Sequence, residues 1–143
     1  MTDPITLTGK CLCGAVTFQA LSKEGNVGAC HCKMCRTWSG GVLFAVEDAH
    51  ELRIEGEANL GVYKSSDWGE RCFCKNCGTN LFWRSEQFGH TAVMAGNIIE
   101  EDKLRFAQQI YIDQKPGYFS FSEPTMKMTE AEFTAQFTQT DKT

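Results

Sequence analysis

The sequence has no excess of basic residues, no long apolar run and no recognisable export leader. Lys and Arg number 14 against 18 Asp and Glu, which gives a formal net charge of −4. A chain of this charge lacks the basic surface that nucleic-acid binders use for most of their affinity. Apolar runs stay well below the roughly 20 residues that cross a bilayer, and the segment from Met1 to Pro4 does not begin a basic and then apolar leader. We therefore expect a cytoplasmic protein that binds neither nucleic acid nor membranes.

Internal repeats, low-complexity tracts and linkers are also missing up to the polar tail after Phe137. The 143 residues lie in the usual range of one domain, and a content of 42% hydrophobic and 22% charged residues is typical of globular proteins. We expect one continuous domain over residues 1–143.

Most of the chain consists of short segments that alternate with a period of two or form compact apolar runs. This pattern predicts a mainly β fold of antiparallel strands. The predicted strands cover residues 15–20, 42–46, 51–56, 60–64, 81–84, 91–95 and 104–112.

Helix signals are few. A possible capping box joins Thr129 and Glu132, and Phe133 and Phe137 then share one helical face, which predicts a short C-terminal helix. A helical turn is also expected at Lys33–Ser39, directly after a pair of cysteines.

Eight cysteines are many more than a domain of this size normally carries. In a reducing cytosol disulfide frameworks are rare, and tight cysteine clusters more often hold metal. We therefore favour metal ligation over a disulfide scaffold. The cysteines form three clusters, at residues 11–13, 30–35 and 72–77.

The spacing of four cysteines predicts a closed metal site. Cys74 and Cys77 are separated by two residues and followed by Gly78, which suits the positive φ after a metal-binding knuckle. Cys11 and Cys13 are separated by one residue, so on a strand both side chains point to the same face. Both sulfurs can then reach one ion if the backbone bends modestly. Together these four thiolates form the tetrahedral set that structural zinc prefers.

Cys30, Cys32 and Cys35 remain as a compact group that can hold a second zinc through three sulfurs. A zinc site with three protein ligands keeps one position open for water or substrate, which is typical of catalytic zinc. Three thiolates make the ion a poor generator of hydroxide but suit it to activating a substrate thiol. We therefore expect thiol activation as the chemistry of this site.

Cys72 is the eighth cysteine and lies two positions before Cys74. Three interpretations remain open: a spectator thiol, a fourth ligand that closes the three-cysteine site, and a redox or alternative-ligand role. The second would make the catalytic site inert.

Three motifs, GKCLCGAV at residues 9–16, CHCKMCR at 30–36 and FCKNCGT at 73–79, occur in this order. In order and spacing they resemble the GFA family, named for the glutathione-dependent formaldehyde-activating enzyme. The resemblance covers about residues 9–118, which leaves 119–143 as a C-terminal extension. It implies the β-tent fold, in which twisted antiparallel sheets surround zinc sites.

The resemblance also implies two Zn²⁺ ions and their ligands. Cys11, Cys13, Cys74 and Cys77 would bind the structural ion, and Cys30, Cys32 and Cys35 the catalytic one. The implied reaction is that of a carbon–sulfur lyase, in which glutathione and formaldehyde form S-(hydroxymethyl)glutathione. The glutathione sulfur would enter the open zinc position and attack the aldehyde carbon, and water or a nearby acid would protonate the oxygen.

Several neighbouring residues have more than one interpretation. Arg36 can clamp a carboxylate of a glutathione-like ligand, or it can be a solvated surface residue. Arg71 is expected to support the knuckle at Cys74, and the His31 side chain is expected to be exposed. His90 carries no predicted role.

Two function hypotheses follow. The first is a zinc-dependent lyase that adds glutathione or a similar thiol to formaldehyde or a related small aldehyde. The second is a non-catalytic zinc module that carries thiols or binds another protein.

Overall fold

The structure, a computed structural model, describes residues 3–141, with side chains to Phe137. Both ends of the predicted 1–143 domain lie outside the described residues. They include Met1, the first residue of the segment considered above as a possible leader. The described part contains ten strands and two helices, and none of its helices is long and apolar enough to cross a membrane. The elements are β1 (Ile5–Lys10), β2 (Thr17–Ser22), β3 (Asn26–Cys30), α1 (Lys33–Ser39), β4 (Leu43–Glu55), β5 (Leu60–Lys64), β6 (Glu70–Cys74), β7 (Asn80–Ser85), β8 (His90–Met94), β9 (Arg105–Ile110), β10 (Met126–Met128) and α2 (Glu130–Asp141).

The strands form one connected sheet whose main path runs β10-β9-β3-β4-β8-β7-β6-β5, with β1 and β2 attached through β4. The mainly β prediction is therefore confirmed. Most neighbours are antiparallel, as expected, but β9 pairs in parallel with both β3 and β10. Parallel pairing needs long crossovers, and the chain between β3 and β9 supplies one of more than 70 residues.

Strand β4 joins the main path of the sheet to the pair of strands β1 and β2. Its first half pairs with β3 and β8, and its second half pairs with β2, where Phe18 lies opposite Ile54. A register irregularity after Val46 and a positive φ of 52° at Glu51 bend the strand between its two halves. The two strands predicted at 42–46 and 51–56 are thus one continuous strand.

The bend folds β1 and β2 over one face of the main sheet. Phe18 of β2 meets Phe82 of β7 edge to face, with ring centroids 5.9 Å apart. Leu7, Val46 and Val93 are completely buried in the same cluster. This face is the hydrophobic core.

The opposite face of the main sheet carries different side chains. Cross-strand partners lie on the same face of a sheet, and register pairs Arg71 with Trp83, Trp83 with Ala92, and Ala45 with Met94. Because side chains alternate along a strand, these residues point away from the core. This second face is the floor of the site described below, and we call it the site face.

Both predicted helices are present. Helix α1 is capped at its start by the Cys32 side chain and ends at Gly40 in the left-handed conformation. At the start of α2 the Thr129 amide donates to the Glu132 carboxylate at 2.8 Å, and the Glu132 amide donates to the Thr129 hydroxyl at 3.2 Å. This is the predicted capping box.

Candidate metal centres and the adjoining cavity

Four cysteine sulfurs meet between the end of β1 and the end of β6. The sulfurs of Cys11, Cys13, Cys74 and Cys77 all lie within 4.8 Å of one another. Cys13 is 3.6 Å from Cys11 and 3.8 Å from Cys74, sulfur to sulfur. A tetrahedron with metal–sulfur bonds of about 2.3 Å has sulfurs about 3.8 Å apart. The arrangement of the four thiols is therefore compatible with a tetrahedral zinc ion.

Backbone turns bring these cysteines together. The Gly78 amide donates to the Cys74 carbonyl at 2.8 Å, and Gly78 has the positive φ of 82° that the sequence predicts. The Asn76 side-chain amide donates to the Cys13 sulfur at 3.1 Å, and the Thr79 hydroxyl lies 3.2 Å from the Cys77 sulfur. The hydrogen bond from Thr79 lowers the pKa of Cys77 to about 5, which favours the thiolate that a metal needs.

A second group of sulfurs lies where β3 ends and α1 begins. The sulfurs of Cys30, Cys32 and Cys35 are also within 4.8 Å of one another. The Cys35 amide donates to the Cys32 sulfur at 3.3 Å, which closes the turn between them. Among the described residues, the group contains no fourth cysteine and no histidine or carboxylate. We call these three residues the thiol triad.

Cys72 does not join the thiol triad. Its side chain is fully buried in the core cluster with Phe82. Arg71, the preceding residue on β6, points to the opposite face and contacts Cys35. Strand alternation therefore separates the Cys72 thiol from the triad by the thickness of the sheet. This geometry favours the spectator interpretation over that of a fourth ligand.

The triad does not accommodate three negative charges without a cation. Hydrogen bonds from Cys30, the larger effect, and from Cys35 lower the pKa of Cys32 to about 2. The same hydrogen bond to Cys32 raises the pKa of Cys30 far above its ordinary value. One thiolate is therefore stabilised while its neighbours stay protonated. A divalent ion, whose binding would release the remaining protons, fits this donor set.

Arg71 supplies positive charge next to the triad. Both of its terminal nitrogens lie 3.7 Å from the Cys35 sulfur, and its guanidinium lies over the Trp38 ring at 5.1 Å. The side chain is only 5% exposed. The expectation that Arg71 supports the knuckle at Cys74 is wrong because Arg71 and Cys74 lie on opposite faces of β6.

A cavity of about 520 Å³ opens directly beside the triad on the site face. The sheet supplies apolar groups including Leu43, Ala45 and Ala92, and α2 supplies Phe133 and Phe137. The triad sulfurs are part of the same wall. A ligand in this cavity therefore lies next to any metal that the triad holds.

Glu47 is the one carboxylate that β4 contributes to the cavity. It accepts a hydrogen bond of 2.6 Å from the Gln108 side-chain amide. Its carboxyl lies over Gly28, where a β-carbon would come within 2.5 Å of the oxygen. Burial raises the pKa of Glu47 to about 7. Sequence analysis did not identify this residue, which has no motif around it.

The remaining candidates have mixed outcomes. Arg36 lies outside the cavity wall and donates from Nε to the His31 carbonyl at 2.8 Å, so its predicted contact with a ligand stays a prediction. The expected exposure of His31 is wrong, because its ring is fully buried and hydrogen-bonded to Gln109 at 2.8 Å. His90 and Trp83, which had no predicted role in the site, both line the cavity.

Comparisons with known proteins agree with the cysteine pattern. A family model described as glutathione-dependent formaldehyde-activating enzyme matches residues 6–114. An uncharacterized lyase of Schizosaccharomyces pombe is 32% identical over 126 residues, which cover 85% of this chain and 89% of the relative. A candidate glutathione-dependent formaldehyde-activating enzyme of Halomonas elongata is 27% identical over 123 residues, 78% of each chain.

The fold also occurs in a solved structure. A crystal structure of a Rhodobacter sphaeroides protein superposes with a TM-score of 0.54 at 24% identity, and covers 64% of this chain and 87% of that one. At this identity the likeness concerns the fold alone.

Proposed function

Since this chain belongs to the GFA family, whose model covers residues 6–114, we propose that it is a zinc-dependent carbon–sulfur lyase. The reaction joins glutathione or a similar thiol to formaldehyde or a related small aldehyde. The names of two relatives, a lyase and a candidate formaldehyde-activating enzyme, support a lyase-type role. The observation that carries the proposal is the thiol triad, three sulfurs within 4.8 Å of one another in the wall of a cavity.

Two zinc ions are proposed, one for each cysteine group. The four-cysteine group, with all of its ligands supplied by protein, suits a structural ion. Cys30, Cys32 and Cys35 would hold the second ion, which would supply a Lewis acid that lowers the pKa of an incoming thiol. Arg71 offsets part of the negative charge of the triad from its position beside Cys35.

Glu47 is the proposed proton donor. Register places Gly28 and Cys30 on the same face of β3, and two residues of a strand span about 7 Å. The Glu47 carboxyl over Gly28 is not among the groups that cluster within 4.8 Å of one another at the triad, but it lines the cavity beside them. As sulfur bonds to the aldehyde carbon, the C=O electron pair moves to oxygen, which takes the Glu47 proton. The proton released by the thiol then restores the carboxyl.

Arg36 is proposed to bind a carboxylate of the thiol substrate at the outer side of α1. Its Nε is held by the His31 carbonyl, which fixes the plane of the guanidinium. A planar, fixed guanidinium suits a carboxylate better than a mobile one does. Replacement of Arg36 by Lys is expected to raise KM for glutathione and to leave kcat unchanged.

The test is the rate at which the zinc-loaded protein forms S-(hydroxymethyl)glutathione, measured by NMR against the uncatalysed reaction. We expect acceleration in the wild type and in Cys72→Ala, and none in Cys32→Ala. Cobalt substitution supplies a second measurement, because glutathione bound at the triad metal changes the sulfur-to-cobalt absorption. Binding without acceleration would support the thiol-carrier hypothesis, and the absence of both would contradict any role in thiol chemistry.

A further inference from the structure

The cavity beside the thiol triad is poorly suited to charged groups. Arg71 is the buried cation in its wall, and the guanidinium is already engaged by the Cys35 sulfur and the Ser65 hydroxyl. Lys33, also in the wall, is exposed at the mouth. Burial lowers the pKa of His90, so its ring is neutral. An anion that entered would lie near the carboxylates of Glu47 and Glu130, which both line the cavity.

The same cavity is well suited to an apolar group. Leu43, Ala45, Ala92 and Met94 form its floor on the site face. One side is closed by the rings of Trp68 and Trp83, which meet edge to face with centroids 5.8 Å apart. Removal of apolar surface from water favours binding in such a cavity. The cavity walls therefore favour the binding of an uncharged hydrocarbon substituent.

Helix α2 completes the apolar enclosure. Phe137 packs against Phe88 at 5.4 Å and against His90 at 5.6 Å, and Phe133 packs against Tyr111 at 5.8 Å between ring centroids. The family model ends at residue 114, so this wall comes from chain beyond the matched segment. The apolar character of the cavity is therefore not inherited from the matched part of the chain alone.

Glutathione has two carboxylates and one ammonium group at neutral pH, and formaldehyde has no hydrocarbon substituent. Neither molecule carries the uncharged hydrocarbon group that the apolar walls favour. We propose that the cavity binds an uncharged alkyl or aryl group attached to one of the two reacting partners, either the aldehyde carbon or the thiol. This inference rests on the proposed function, since addition of a thiol to an aldehyde is what places such a group beside the triad.

The first test measures binding without reaction. Benzyl alcohol, which is uncharged and unreactive, is titrated into the zinc-loaded protein, and the indole NMR signals of Trp68 and Trp83 are followed. Benzoate, of similar size but charged, is the matched probe. We expect saturable shifts with benzyl alcohol and at least tenfold weaker binding of benzoate. Equal binding of the two, or no shift with benzyl alcohol, would overturn the inference.

Two variants locate the bound probe. Ala92→Leu fills the cavity floor and is expected to weaken benzyl alcohol binding at least tenfold, while Ala107→Leu, at a half-buried alanine outside the cavity wall, leaves it unchanged. Phe137→Ala, at a half-buried position on α2, is expected to weaken binding severalfold without loss of the fold. Unchanged binding in both Ala92→Leu and Phe137→Ala would place the probe elsewhere and refute the inference.

The second test assigns the substituent to one partner. Initial rates are compared for glutathione with formaldehyde, glutathione with phenylacetaldehyde, and benzyl mercaptan with formaldehyde. We expect one of the two apolar pairs to exceed the first pair at least tenfold in kcat/KM. A faster reaction with glutathione and formaldehyde would overturn the inference and leave the lyase function intact. Binding of benzyl alcohol with no acceleration of any pair would refute the lyase function and leave the ligand class supported.

Discussion

The Glu47 carboxyl lies over Gly28, in space that a side chain on residue 28 would occupy. Gly28 is on β3, two residues before the first cysteine of the thiol triad, and Glu47 is on β4, the neighbouring strand. The glycine therefore permits a carboxyl to reach across β3 and face the cavity. Gln108 fixes the carboxyl there with its hydrogen bond of 2.6 Å.

Replacement of Glu47 by Gln removes the proton donor and keeps the size of the side chain. General acid–base catalysis contributes about 10²- to 10⁴-fold, so we expect kcat to fall by about 10²-fold or more. Only protonated Glu47 donates, and its pKa is about 7. The ratio of wild-type to variant rate should therefore decrease as pH rises through 7. Glu55→Gln, at an exposed glutamate of the same strand, is the control, and an equal loss there would contradict the assignment.

Replacement of Gly28 by Ala should produce a similar defect by displacing the carboxyl. The new β-carbon would come within 2.5 Å of the Glu47 oxygen, a separation that real contacts do not show. We expect a lower kcat with the zinc content unchanged, measured by steady-state kinetics and metal analysis. Gly117→Ala, where a β-carbon meets no atom within 4 Å, should behave as wild type. Full activity in Gly28→Ala would show that the position of the carboxyl does not matter.

Cys77 and Cys72 should differ sharply in their effect on zinc and stability. Cys77→Ser removes a ligand from the four-sulfur site, and structural zinc in small domains contributes on the order of 10 kcal/mol to folding. We expect loss of one zinc per chain and a large fall in Tm. Cys72→Ala deletes one buried atom and should cost about 1 kcal/mol with the zinc content unchanged. Zinc loss in Cys72→Ala would indicate that Cys72 is a metal ligand after all.

Arg71 should affect the affinity of the triad for its metal. Arg71→Met removes the charge next to the Cys35 sulfur, and the loss of a partner that contacts a ligand typically costs 10- to 100-fold in metal affinity. Competition with a chelator measures this change. Arg105→Met, at an exposed arginine that contacts Asn26, is the control. Equal zinc affinity in the two variants would exclude a role for Arg71 in holding the metal.

Local patterns predicted the grouping of the cysteines and the capping box of α2, because spacing over a few residues decides those contacts. The knuckle at Gly78 and the capping box at Thr129 both form as the sequence indicates. Strand β5 lies at the predicted 60–64. The sequence did not reveal β3, because Asn26–Cys30 is short, includes a glycine, and is buried at four consecutive positions without alternation.

The cavity depends on contacts between distant segments, which the sequence does not display. Arg71 and Cys35 are 36 residues apart, and Glu47 and Gln108 are 61 apart. Only strand order and register bring each pair together, and β9 joins β3 in a parallel pairing that no local pattern signals. For the same reason the sequence could not show that Arg71, and not Cys72, lies beside the thiol triad.

The sulfur of Cys32 belongs to the thiol triad and also caps the start of α1, where it accepts a hydrogen bond from the Cys35 amide. Loss of an N-cap typically costs about 1 kcal/mol of helix stability, and α1 has only seven residues. Oxidation or alkylation of this one atom would therefore loosen the helix as well as change one sulfur of the triad. Lys33 and Met34 line the cavity from the first turn of that helix. Chemical damage to the thiol triad should thus also impair the binding of molecules in the cavity that never touch its sulfurs.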